Sequence, residues 1–192
     1  MAGKINKKLL ENEILNSRVT QKLVLEVVSQ EIEKNKKIFM SEFENHPVTQ
    51  EISGGETASN SSGTLGGYGN LFSFIGFNKG FDPISPVFDL IKQIKAVNVN
   101  FSKNLFNVQV NIPDKSDFMS VSKMPWESGR SWLFDIEKGI SGLGAYLYRQ
   151  YSKSRSGYGI QSKFNYRGTT FRSTQYFSFI YKKFLNRIGA KK

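Results

Sequence analysis

The 192-residue chain has no cysteine and a single histidine, His46. Without thiols there is no disulfide framework, no thiolate nucleophile and no zinc–thiolate site. One imidazole leaves little scope for histidine-based metal ligation, so no metal or other cofactor is expected. No apolar run approaches the roughly 20 residues of a membrane span. The opening MAGKINKKLLENEI has no apolar core of the signal-peptide kind. The expectation is a soluble protein, made and used in a cytosol, with no membrane partner. Acid is missing too, in one direction: after Glu137 there is no Asp or Glu, while 12 Lys and Arg follow it.

What is present is a strongly segregated charge. The net charge is +11. Residues 1–122 hold 13 basic and 13 acidic residues, and residues 123–192 hold 14 and 3, so the last third carries the whole excess. One-sided charge raises the local concentration of anions, and points to nucleic acid or to an acidic protein face.

Glycine in this third invites comparison with nucleotide loops. Gly139, Gly142 and Gly144 fall within EKGISGLGAYLYRQYSKSRSGYGIQSK. A dinucleotide fingerprint needs G-x-G-x-x-G and an acid about 20 residues on, and a P-loop needs Gly-Lys-Ser/Thr. Gly142-Leu143-Gly144 is followed by Ala145, Tyr146 and Leu147, no acid follows, and no Gly-Lys-Ser/Thr occurs. Nucleotide binding is not indicated.

Along the chain the periodicity predicts an α+β fold, with long N-terminal and C-terminal helices on a small antiparallel sheet. Residues 1–45 read as one helix from about Asn6 to Glu42, with Leu15, Val19, Leu23 and Val27 as its stripe. Residues 46–70 read as a Gly/Ser/Thr-rich loop, and its part GGETASNSSGTLGGYGN, 54–70, is expected to become ordered by a neighbouring subunit. Residues 71–192 form the remainder of a single domain. LFSFIGF, 71–77, suits a buried strand. Asp82 and Pro83 open a helix with Val87, Leu90, Ile91 and Ile94 on one face, and VNVNFSKNLFNVQVNIP alternates as a hairpin. Trp132, Ile136, Ile140 and Leu143 are helically spaced. An extended Gly-rich basic arm over 149–175 precedes a last helix, capped by Thr174 and stopped by Gly189, with Phe177, Ile180, Tyr181, Phe184, Leu185 and Ile188 inward.

Catalytic groups do not assemble. His46 precedes Pro47 in the expected loop and reads as structural. Asp135 and Glu137, at i and i+2, leave a helix on different sides, and Asp114 and Asp117 read as a capping cluster before Phe118. No enzymatic activity is expected. The arm is richer: Tyr146, Tyr148, Tyr151, Tyr158, Phe164, Tyr166 and Phe171 interleave with Arg149, Lys153, Arg155, Lys163, Arg167 and Arg172. Aromatics with cations suit stacked bases and phosphates; they equally suit a protein interface. No recognised nucleic-acid module accompanies them.

The order of these features resembles the small head–tail joining proteins of tailed bacteriophages, of the tail-completion and tail-terminator type. That family is similar in having a long N-terminal helix and a Thr-Gly-x-Leu or Ser-Gly-x-Leu core before a strand, here Ser62-Gly63-Thr64-Leu65. A Glu-x-Gly element follows an aromatic helix, here Glu137 and Gly139, and a C-terminal helix ends the chain. The likeness spans about residues 10–188 and departs from the family between Gly144 and Gln175. It implies a structural protein that assembles in the host cytoplasm into a ring at the virion neck. Its partners would be its own copies and the portal, connector or tail-tube proteins, with contact to DNA non-specific and secondary. The alternative is a nucleic-acid-binding protein that uses the basic arm without sequence specificity.

Overall fold

The computed structural model describes residues 7–65, 69–125, 127–138 and 174–190. The fold is α+β. The N-terminal helical region is not one helix but two, α1 (Lys7–Asn16) and α2 (Arg18–Glu44). The break is local chemistry. Ser17 is extended, its Oγ accepts from Thr20 N–H at 3.2 Å, and the Asn16 side chain turns back to the Asn12 carbonyl. Asn and Ser compete for backbone partners in this way, and Ser is a strong N-cap.

The core lies on the C-terminal half of α2. Ile32, Phe39 and Phe43 are buried there, and not the Leu15–Val27 stripe. They meet the last helix, α8 (Phe177–Arg187), whose Phe177, Ile180 and Phe184 face inward as the spacing predicts. The Phe39 and Phe184 rings stack at 5.1 Å, Phe43 meets Phe177 edge-on at 5.6 Å, and Phe118 meets Phe177 at 4.6 Å. Bidentate contact between Arg187 and Glu42 closes the far end of the α2–α8 pair. Gly189, at φ +65°, stops α8 as expected. Thr174 does not cap it. The cap position is Tyr176, without a side-chain bond, and the first turn is served from Glu137 instead.

Two stretches fold differently from their composition. Residues 46–70 are not a continuous loop. His46 caps α3 (Pro47–Ser53), Pro47 sits at its first turn, and Val48 and Ile52 are fully buried. The glycines and serines that follow obscure this helix in the sequence. LFSFIGF is not a strand. It forms α4 (Leu71–Ile75), capped by Asn70 Oδ1 on the Ser73 N–H at 2.9 Å and ended by Gly76 at φ +87°. Leu71, Phe72 and Ile75 are buried, an i, i+1, i+4 spacing that is helical rather than alternating.

Helix α5 (Ser85–Lys92) starts where Asp82 Oδ1 accepts from the N–H groups of Ile84 and Ser85, and buries Val87 and Ile91. The hairpin then forms as predicted from β1 (Lys95–Ser102) and β2 (Leu105–Asn111). Its turn residues Lys103 and Asn104 both have positive φ, as a two-residue type I′ connection requires. A bulge between Ala96 and Asn98 separates Val97 from Val99, so Val99 is buried and Val97 exposed. The hairpin packs along α2. Lys36, buried on α2, donates to the carbonyls of Lys92 and Ile94 at 3.2 Å each and fixes the hairpin's entry. Next come α6 (Lys115–Val121), with the expected Asp114–Asp117 capping box, and a small ladder of β3 (Lys123–Met124) with β4 (Glu127–Ser131). Helix α7 (Trp132–Asp135) is short. The expected helical partners Ile140 and Leu143 lie outside the described residues.

Candidate functional site

Both motifs singled out in the sequence are bound into the fold by a carboxylate. Helix α3 places Glu51 beside Ile52 on its inner side, where it is 1% exposed. Its Oε2 accepts from the Ser62 N–H at 2.9 Å and its Oε1 from the Leu71 N–H at 2.8 Å. Ser62 Oγ in turn donates to Thr64 Oγ1 at 2.8 Å and accepts from the Thr64 N–H, and Leu65 is buried in the core. Asn70 ties the same segment from the other side, donating to the carbonyls of Glu56 and Ala58. The Ser62-Gly63-Thr64-Leu65 element is therefore held by its own chain. The expectation that it gains order only from a neighbouring subunit does not fit these contacts.

Glu137 latches the two ends of the last third together. Its Oε1 accepts from the Ser178 N–H at 2.5 Å and its Oε2 from the Ser178 hydroxyl at 2.6 Å. A carboxylate at the first turn of a helix meets unsatisfied N–H groups and the positive end of the helix dipole. Gly139 lies outside the described residues, and so do all the arm candidates: Arg149, Lys153, Arg155, Lys163, Arg167, Arg172, Tyr151, Tyr158 and Tyr166.

His46 is structural in the geometry. Its Nδ1 accepts from the Val48 N–H at 3.3 Å, its Nε2 faces the Gln175 carbonyl at 3.1 Å, and its ring lies 4.7 Å from that of Tyr176. These partners assign the proton to Nε2. Burial pushes the imidazole below its ordinary value, against the opposing effect of the Gln175 carbonyl. Tyr176 is fully buried, its hydroxyl 2.7 Å from Thr49 Oγ1, and burial drives its ionisation far upward.

The sequence reading missed where the predicted stripe would end up. Val19, Leu23 and Val27 are 70%, 58% and 65% exposed. At 100° per residue they fall on the side of α2 opposite Ile32, Phe39 and Phe43. Helix α2 is thus apolar on two opposed sides, only one of which the described residues cover. A second set of exposed apolar side chains lies on the hairpin, at Val97 and at Leu105 next to its turn.

Among the described residues no cluster of three or more His, Asp or Glu is placed to hold a metal, and no helix is long and apolar enough to cross a membrane. Comparison with protein-family models, with curated proteins and with solved structures finds no match.

Proposed function

We propose that this chain is a structural protein of a tailed phage that assembles into a ring at the neck, joining head to tail. The observation that carries self-assembly is the uncovered side of α2. Three aliphatic side chains stand in water there, on a tract, Lys7–Glu44, whose seven basic and seven acidic residues cancel. The +11 excess lies wholly in residues 123–192, so a contact made through this electrically balanced tract brings like chains together at little electrostatic cost. The neck placement rests on the resemblance in element order. Consistent with it are the long helical start, the Glu137 latch and the closing helix, whereas the Ser62–Leu65 element leads into helix α4 and not into the strand that the resemblance implies.

A ring requires heterologous contact, one patch of each subunit on a different patch of the next. The α2 stripe is one patch, and the exposed hairpin residues Val97 and Leu105 supply the other. The test uses two variants, Leu23→Glu and Leu105→Lys, with mass measured by light scattering after gel filtration. Wild type gives a closed oligomer, and each variant alone is a folded monomer. An equimolar mixture gives dimers and nothing larger, because each pair retains one intact interface. A wild-type monomer at all concentrations rejects ring formation, and absence of the chain from purified particles by mass spectrometry rejects the neck.

The second reading, non-specific nucleic-acid binding, is favoured by the six cations and no acid between residues 149 and 175. Each phosphate neutralised would add about −0.9 to the slope of log affinity against log salt. A salt titration against duplex DNA therefore separates it from protein docking.

A further inference from the structure

We propose that a cleft of about 290 Å³ between α6, β4 and α7 takes a carboxylate side chain from an acidic peptide segment of a partner protein. The proposal deepens the neck reading by naming the chemistry of the partner, and its own support is local geometry.

Three cations converge on the cleft: Lys115 from α6, Arg130 from β4 and Lys138 just beyond α7. Against them the described lining sets one carboxylate, Asp135. Asp135 is 8% exposed and acts as the orienting group. It holds Arg130 Nε at 2.7 Å and lies 3.7 Å from Lys138 Nζ, which aims two cations at the same opening. Lys115 Nζ is held 5.1 Å from the centre of the Phe134 ring, and Met119 completes an apolar wall beside it. A carboxylate on an aliphatic stem matches both parts of this lining, the cations and the wall of Phe134 and Met119.

The same lining argues against a nucleic-acid backbone. Phosphates make their contacts along an extended line of cations, whereas this opening is short, walled by Phe134 and Met119, and has a carboxylate in its side. The excess of cations after Glu137, a property of the sequence alone, likewise favours an acidic partner.

The experiment is fluorescence anisotropy of the purified full chain with a short labelled Asp/Glu-rich peptide. Its Asn/Gln counterpart and a labelled DNA duplex are run alongside. The variants are Lys115→Glu with Lys138→Glu, the milder pair Lys115→Gln with Lys138→Gln, and the control Lys183→Glu on α8, whose ammonium lies over Phe179. Both cleft lysines are exposed, so folding is checked by thermal melting and is expected to be unchanged. The acidic peptide should bind and the neutral one should not. Affinity should fall about tenfold or more in the Glu pair, in the same direction but less in the Gln pair, and by no more than about twofold in the control. No binding of the acidic peptide, equal loss in the control, or cleft-dependent loss for DNA alone would each overturn the proposal. Because the titration uses purified protein, its failure leaves the search for the chain in particles unaffected.

Discussion

Replacing Glu51 by alanine should loosen the whole segment between α3 and α4 without touching any apolar contact. Both carboxylate oxygens are used, on the N–H groups of Ser62 and Leu71 at 2.9 and 2.8 Å. Hydrogen bonds to a charged acceptor contribute about 1.5–3 kcal/mol each. The two cases differ in what replaces them. The Leu71 N–H belongs to a fully buried residue and has no water to turn to, while Ser62 is half-buried and recovers much of its bond from solvent. Truncation also removes the cost of burying the carboxylate, which offsets part of the loss. The net expectation is about 2–4 kcal/mol, or roughly 4–16 °C in Tm at about 2–4 °C per kcal/mol for a chain of this size. Glu51→Gln keeps one acceptor but turns an NH2 toward a donor, so it should lose about half as much. The assay is thermal melting with amide exchange, in which Ser62 and Leu71 lose protection in the alanine variant. A Tm within about 1 °C of wild type, or unchanged protection at both amides, would refute this account of the segment.

His46 predicts a specific dependence on pH. Burial depresses its folded pKa below the ordinary 6.5, so below that pH the unfolded chain takes up the proton more readily than the folded one. Stability from this group is therefore complete above 6.5 and falls as the pH drops through the window below it. His46→Asn, which keeps a capping side chain, should remove that part of the slope in urea titrations between about pH 7 and 5. Glu137→Ala should destabilise α8 by about 0.5–2 kcal/mol through the loss of its first-turn acceptor. That variant should also cleave faster under limited proteolysis, and an unchanged rate would count against the latch. Phe39→Ala removes a fully buried ring that stacks on Phe184 and meets Phe177 at a tilt, and should cost about 3–5 kcal/mol by denaturant unfolding.

The parts of the fold legible in the sequence were those with one unambiguous period. The hairpin alternates in two continuous runs around a two-residue turn, α8 repeats Phe, Ile and Phe at helical spacing, and Asp114 and Asp117 sit three apart before an apolar residue. Helix α2 misled because it is aliphatic on both sides. Nothing in the pattern says which side the aromatic Phe39 and Phe43 will claim, and they outweigh the valines. In α4, four apolar residues and a serine between Asn70 and Gly76 are too few for periodicity to separate helix from strand; only the capping pair tells them apart. Glu51 could have been noticed as an acid flanking Ile52 on the apolar side of α3, but its two acceptor bonds reach 11 and 20 residues ahead. The Glu137 contact spans 41 residues, and its distant partner, a serine, carries no sequence signal. Of the candidate contact residues, the loop and latch elements have a structural account, while the arm's cations and tyrosines fall outside the described residues.

The Glu137–Ser178 latch makes the last third a matter of connectivity as much as of charge. Glu137 and Ser178 join the two flanks of residues 139–173, and the body on both sides is secured independently: α7 by Trp132 and Leu133 in the core, α8 by Phe177, Ile180 and Phe184 against α2. A peptide bond cut anywhere between them would separate the chain into two pieces without separating the two pieces from each other.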